Sequence, residues 1–217
     1  RASAATTEGA APVAVDAETR ERLASLGYLA GGVREDRPGS APRGVDPRSA
    51  IAVHEAFQGV LEACLLRDFH RARALSQELR DRQPDLPDVL LLAGDVEMQA
   101  GDPAAAGALY GRFLDETGRR EDGIDRGEQV ARAWFNLGNA RDAGGDREGA
   151  LAAWRNSLAV LPGGRDARFN LAVTLAGLGR LDEAAEELET LVAADPTDTE
   201  ANYNLGLARD AQQRPEE

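Results

Sequence analysis

A short block of sequence returns in this chain at a fixed interval of 34 residues. FNLG at 135–138 is followed by FNLA at 169–172 and by YNLG at 203–206. A fixed period of about 20 to 50 residues indicates a repeat architecture, in which each unit buries its apolar side only by stacking on its neighbours. The period therefore predicts an array of small units, and an ordinary helical bundle does not explain it.

The block sets a register for the chain from residue 46 to residue 217, which we predict to be one repeat domain. Complete units run over 53–86, 87–120, 131–164 and 165–198, with an insertion at 121–130 and a partial unit at 199–217. Position 8 of each unit is small except in the first, where it is Val60. Alanine occupies position 20 of all four complete units and proline occupies position 32 of three, at Ala72, Ala106, Ala150, Ala184, Pro84, Pro162 and Pro196.

Each unit is predicted to form two helices joined by a tight turn. In the third unit Trp134, Leu137, Gly138 and Arg141 fall at i, i+3, i+4 and i+7, the spacing of one face of an amphipathic helix. Gly144 and Gly145 end that helix, Asp146 is placed to cap the second, and Pro162 stops it. The small residues at positions 8 and 20 let the two helices cross closely. Before the last helix, Thr197 and Glu200 have the spacing of a capping box.

This pattern closely resembles the tetratricopeptide repeat, a 34-residue helix–turn–helix unit with fixed aromatic, small and proline positions. The third unit matches it at Trp134, Leu137, Gly138, Ala150 and Pro162. The resemblance covers 53–217 and implies an all-α, right-handed solenoid of about four and a half repeats. It also implies that the first helices line a concave groove, with positions 2, 5, 9, 12 and 13 facing a bound peptide.

On this register the groove combines an apolar, partly aromatic strip with a mainly acidic border. The predicted groove residues are Phe57, Leu91, Asp95, Arg132, Phe135, Asn139, Asp142, Asp166, Phe169, Asn170 and Tyr203. Such a surface favours an apolar or basic segment of a protein partner. In the alternative, the position-5 residues are half-buried between helices and serve only the structure. The asparagines at position 6 are predicted to hydrogen-bond between stacked units.

Residues 1–45 have the composition of a linker, and one short helix is predicted at about 17–26. ETRERLASLGYLAGG, followed by DPRSAI, resembles a junction in bacterial sulfatase-like proteins of the alkaline phosphatase superfamily. In those proteins the catalytic domain closes there and a tetratricopeptide tail follows. The resemblance implies an alternative function, in which the chain is a non-catalytic C-terminal appendage that packs on or extends its own upstream enzyme domain. It then implies a periplasmic or extracytoplasmic location; otherwise we expect a cytoplasmic protein.

Composition argues against several classes of function. The net charge is −13, and residues 87–217 carry 13 arginines against 25 acids, so the body of the chain repels nucleic acid. No apolar run reaches the roughly 18–20 residues that a membrane span needs. His54 and His70 have no partner at metal-ligand spacing, and Cys64 lies inside a predicted helix. We therefore expect a chain that is not an enzyme and that uses no cofactor and no metal.

Overall fold

The computed structural model describes residues 47–84, 86–119 and 126–213, with side chains from residue 51 onward. These residues form nine helices and no strand, which confirms the predicted all-α class. The linker predicted at 1–45 and its short helix lie outside the described residues. The helices are α1 (Pro47–Leu65), α2 (Phe69–Arg82), α3 (Pro87–Gln99), α4 (Pro103–Gly118), α5 (Gly127–Ala143), α6 (Arg147–Val160), α7 (Arg165–Gly177), α8 (Leu181–Ala194) and α9 (Thr199–Gln212).

The chain divides into two compact units, Arg1–His54 and Glu55–Glu217. In the first, only the beginning of α1 is described. In the second, α3 packs on α4, α5 on α6 and α7 on α8, and each of these hairpins is one predicted repeat. Neighbouring hairpins pack through α2 on α3, α4 on α5, α6 on α7 and α8 on α9. The second unit is thus a helical solenoid, as the 34-residue period predicts.

The helices keep the predicted register. In all four complete units the first helix ends at position 13 and the second begins at position 17. The four alanines at position 20 are each 0% exposed, so they occupy equivalent places in the core. The second helix ends at position 30 wherever position 32 is proline, but α4 has Gly118 at that position and continues to it. Proline disfavours helical backbone at the residue before it and cannot itself extend the hydrogen-bond ladder, which explains the difference.

The turn inside each unit has one left-handed residue at position 15. These residues have positive φ angles of 57°, 81°, 86° and 76°, at Arg67, Gly101, Gly145 and Gly179 respectively. Glycine adopts this conformation without steric cost, and it is the usual residue at a helix C-terminus of this kind. Arg67 is the exception, because it places a Cβ in the left-handed region.

Aspartates begin most of the second helices. Side-chain oxygens of Asp68, Asp102 and Asp146 accept from the backbone N–H three residues onward at 3.0 Å. The cap predicted at Asp146 is confirmed. The capping box predicted from Thr197 and Glu200 is wrong, because Asp198 caps α9 by accepting from the Ala201 N–H at 3.0 Å. The Thr197 hydroxyl instead donates to the carboxylate of Asp195 at 2.7 Å.

The two helices of a unit cross where position 8 faces position 24. Gly94 lies against the ring of Tyr110, and Gly138 lies against the ring of Trp154, so an added Cβ would overlap either ring. The register places the larger Val60 opposite the small Ser76, and both are buried. In the first unit the larger side chain at position 8 is therefore matched by a smaller one at position 24, so the two helices can still cross closely.

The insertion before the third unit is partly helical. Because α5 begins at Gly127, the last residues of the predicted insertion, 127–130, add about one turn to the first helix. Gln129 in this turn donates to the Asp88 carboxylate of the preceding unit at 3.1 Å. Residues 120–125 lie outside the described residues.

Candidate functional site

The first helices of successive units are joined by hydrogen bonds along one side. Asp95 Oδ1, at position 9 of α3, accepts from the Tyr110 hydroxyl at 2.7 Å and from Asn136 Nδ2 at 3.0 Å. Tyr110 belongs to the same unit, whereas Asn136 is position 6 of the next. One acceptor at position 9 therefore joins both helices of its own unit to the first helix of the next unit.

The same arrangement recurs one unit later with a neutral acceptor. Asn139 Oδ1 accepts from Trp154 Nε1 at 3.1 Å and from Asn170 Nδ2 at 3.0 Å. Hydrogen bonding between units by the position-6 asparagines is thus confirmed for Asn136 and Asn170. We call the surface formed by positions 2, 5, 6, 9 and 12 of the first helices the first-helix face.

The series of cross-unit bonds stops at the fourth unit. Position 9 there is Val173, which offers no side-chain acceptor, so Asn204 Nδ2 donates to the backbone carbonyl of Glu200 in its own helix at 2.8 Å. The prediction of a bond between units is wrong for Asn204. The physical reason is that the donor's predicted partner is an aliphatic side chain.

The position-5 residues predicted to line the groove differ widely in exposure. Leu91 is 1% exposed and belongs to the core around Tyr110 and Phe113, so its side chain is not available to a partner. Phe57, Phe135 and Phe169 are half-buried, and the last two pack against cores shared with neighbouring helices. Tyr203 is 66% exposed.

The polar residues predicted for the groove fall into two groups. Arg132, Asp142 and Asp166 are exposed, at positions 2, 12 and 2 of the first-helix face respectively. Asp95, Asn139 and Asn170 are half-buried and make the cross-unit hydrogen bonds described above.

Sequence reasoning gave too little weight to the aliphatic side chains at position 9. Val173 and Leu207 are 42% and 50% exposed, beside Phe169 and Tyr203 at position 5 of the same two helices. We call these four residues the C-terminal patch. The signal in the sequence is an aliphatic residue at position 9, where Asp95 and Asn139 of the earlier units supply a hydrogen-bond acceptor.

Arg165 is a second cation near this face that sequence reasoning missed. Its guanidinium lies 4.8 Å from the centroid of the Phe169 ring. It also donates to Asp198 at 3.0 and 3.1 Å and to Glu200 at 2.6 Å, which links the start of α7 to the start of α9. Hydrogen bonding to Arg165 holds the pKa of Asp198 below its usual range.

Burial shifts the proton equilibria around Asp95. Loss of hydration raises the pKa of Asp95, although hydrogen bonds from Tyr110 and Asn136 and the charge of Arg132 oppose the rise. Burial and the Asp95 charge raise the pKa of the Tyr110 hydroxyl. The same two causes raise the pKa of the Cys64 thiol, which favours a protonated thiol over a nucleophilic thiolate.

Two further findings bear on what the described residues can do. Across 47–84, 86–119 and 126–213, no three His, Cys, Asp or Glu side chains are grouped so that they could hold a metal ion. Within the same ranges, no helix has the length and apolar character that crossing a bilayer requires.

A family model described as "Tetratricopeptide repeat" matches residues 66–121, 135–199 and 174–217, which together are more than half of the chain. No curated protein sequence matches the chain significantly.

Solved structures with a similar fold include a crystal structure of MamA protein, with 20% sequence identity and a TM-score of 0.65 over 74% of this chain and 82% of that chain. A crystal structure titled "YrrB: a TPR protein with an unusual peptide-binding site" has 19% identity and a TM-score of 0.60 over 76% and 84%. The first TPR of Spaghetti (RPAP3), bound to the HSP90 peptide SRMEEVD, has 17% identity and a TM-score of 0.51 over 59% and 94%. At these identities the likeness establishes the fold alone.

Proposed function

The chain belongs to the tetratricopeptide repeat family, and we propose on that premise that it is a protein-interaction scaffold whose first-helix face holds a segment of a partner protein. The observation that carries the proposal is the C-terminal patch. Val173, Tyr203 and Leu207 leave 42%, 66% and 50% of their side chains exposed on adjacent first helices. Clustered exposed apolar side chains with a polar border are typical of protein-binding surfaces.

The border of the face indicates the chemistry of the partner. Asp142, Asp166 and Glu200 are exposed on the first helices, where Arg165 pairs with Asp166 and Glu200, and the chain as a whole carries a net charge of −13. An acidic border attracts cationic segments and repels anionic ones. We therefore propose an apolar segment with basic residues as the bound partner.

Two of the similar structures support a peptide-holding role, because YrrB has a peptide-binding site and the first TPR of Spaghetti (RPAP3) is bound to a peptide. The bound peptide SRMEEVD carries three acidic residues and one arginine. An acidic peptide of that kind suits a basic groove, whereas the first-helix face of this chain has an acidic border. We therefore expect this chain to select a different class of sequence.

The proposal is tested by selecting phage-displayed random 12-residue peptides on the full chain and measuring the affinity of the enriched peptides by fluorescence anisotropy. The double variant Val173→Ser/Leu207→Ser removes the exposed aliphatic side chains of the C-terminal patch. We expect it to weaken binding by about tenfold to a hundredfold, since each lost apolar contact contributes roughly 1 kcal/mol.

Val160→Ser/Leu161→Ser is the matched control, because these residues are 41% and 45% exposed at the end of α6, outside the first-helix face. It should leave the affinity unchanged. Equal losses in the two double variants, or a selection that enriches no peptide, would contradict the proposal.

A further inference from the structure

A pocket opens on the first-helix face between α3 and α5, and among the described residues that line it one carries a charge, the carboxylate of Asp95. The residues that line it are Asp95, Met98, Gln99, Tyr110, Asn136 and Asn139. Five of the six are on the first helices, at positions 9, 12 and 13 of α3 and positions 6 and 9 of α5. The pocket is therefore within reach of a segment that lies along the face.

Only one of the two carboxylate oxygens of Asp95 accepts hydrogen bonds from the described residues. Both of the hydrogen bonds that it accepts from described residues, from Tyr110 and Asn136, end on Oδ1. Oδ2 accepts none from the described part of the chain. Burial raises the pKa of Asp95 despite these two bonds and the nearby charge of Arg132, so the surroundings favour the neutral form of this carboxyl group.

The hydrogen bonds between units do not explain the charge. Asn139 accepts the corresponding pair of bonds from Trp154 and Asn170 with a neutral amide oxygen, at closely similar distances. The charged and titratable groups around Asp95 are Tyr110, Arg132 and Cys64, and the last of these has a thiol whose pKa is itself raised by the Asp95 charge. The hydrogen bonds between units therefore do not require a negative charge at this position.

We propose that Asp95 binds a lysine or arginine side chain of the partner segment, so that this pocket determines where the segment carries its positive charge. The inference rests on the proposed function. A long basic side chain fits the lining, because its methylene groups can contact the half-buried Met98 while its terminal cation pairs with the Asp95 carboxylate. An ion pair formed in such a partly buried site also depends less on salt than one at the exposed border.

The test repeats the peptide selection on the wild-type chain and on Asp95→Asn, which keeps the Oδ1 acceptor. Wild-type peptides should share a Lys or Arg at a fixed distance from their apolar residues, and Asp95→Asn should weaken them by about 10- to 100-fold, as the loss of a charge-assisted hydrogen bond does. Replacing that Lys or Arg by norleucine in the peptide should weaken its binding to the wild-type chain by the same factor. The same replacement should leave the affinity for Asp95→Asn almost unchanged, because the ion pair is already absent there.

Asp115→Asn, an exposed position on α4 outside the face, removes the same charge and should change affinity by less than about twofold. Peptides that depend on Val173 and Leu207 but carry no basic residue at a fixed place would overturn the assignment of Asp95 and leave the proposed function intact. If Asp95→Asn binds the selected peptides as tightly as the wild-type chain does, the assignment of Asp95 is likewise overturned and the proposed function is left intact. A selection that enriches nothing would overturn both.

Discussion

At the scale of single residues, Asp95 and Asn139 hold equivalent positions and differ by one charge. Each accepts one donor from its own unit and one from the next, at distances between 2.7 and 3.1 Å. The neutral side chain makes the same cross-unit contact without a desolvated anion. A carboxylate that lines a surface pocket and has a raised pKa is a candidate functional group.

Asp95→Asn should therefore stabilise the protein in a pH-dependent way. Because the folded-state pKa of Asp95 is raised, its contribution is most favourable below the ordinary aspartate pKa of about 4 and is lost as pH rises through the folded-state value. At pH 7 the variant should gain roughly 1 kcal/mol, seen as an increase in Tm of about 2–4 °C. The gain should shrink as the pH is lowered toward 4.

Thermal unfolding followed by circular dichroism at several pH values measures this gain. Asp115→Asn serves again as the control, and its Tm should stay that of wild type throughout. A lower Tm for Asp95→Asn at pH 7 would mean that the carboxylate stabilises the fold and that its charge has a structural reason.

Position 9 was predicted to face the groove, but the hydrogen bonds that the side chains at position 9 make were not predicted. Asp95 and Asn139 were predicted as groove residues because the repeat register was combined with the groove positions that the resemblance to the tetratricopeptide repeat implies. Their hydrogen bonds to Tyr110 and Trp154 could not be predicted, because they depend on the close approach of position 24 across the unit. Leu91 was predicted to face the groove and is buried, since a fixed position number does not fix how deeply a side chain lies.

At the scale of the elements, each hairpin depends on how closely its two helices cross. Gly94 and Gly138 contact fully buried aromatic rings, whereas a Cβ added to Gly206 of α9 would meet no described atom within 4 Å. The three glycines occupy the same position of the repeat. Their surroundings, and not their position number, therefore decide what a substitution does.

Gly138→Ala should destabilise the protein by about 2–3 kcal/mol, because the new methyl group displaces the Trp154 ring from a fully packed core. Gly206→Ala should stabilise it by roughly 0.5–1 kcal/mol, since alanine has the higher helix propensity and open space is present. Urea unfolding followed by tryptophan fluorescence and circular dichroism gives both values. Equal effects of the two substitutions would show that the helices do not cross as the structure has them.

The period of the sequence predicted the helices of each unit closely, because glycine, aspartate and proline mark their ends. Asp146 and Pro162 marked the two ends of α6. The longer α4 follows from the missing proline at position 32. The error at Thr197 arose because Asp198 is also a good capping residue, and sequence spacing alone does not choose between adjacent candidates.

At the scale of the whole molecule, the resemblance to a sulfatase-like junction stays a prediction. The segment ETRERLASLGYLAGG lies outside the described part of the chain, and of DPRSAI only residues 47–51 are described, at the start of α1. A coding sequence upstream of Arg1 that specifies a sulfatase-like catalytic domain would support the appendage function and the extracytoplasmic location. An upstream sequence without such a domain would contradict both the appendage function and the extracytoplasmic location.

The central claim is that the first helices of the stacked hairpins together form one binding face. The most direct test is the mapping of backbone amide chemical shifts in the full chain on addition of a selected peptide. The largest changes should fall in α3, α5, α7 and α9, around Asp95, Asn139, Val173 and Leu207. Changes concentrated in the second helices, α4, α6 and α8, would contradict the claim.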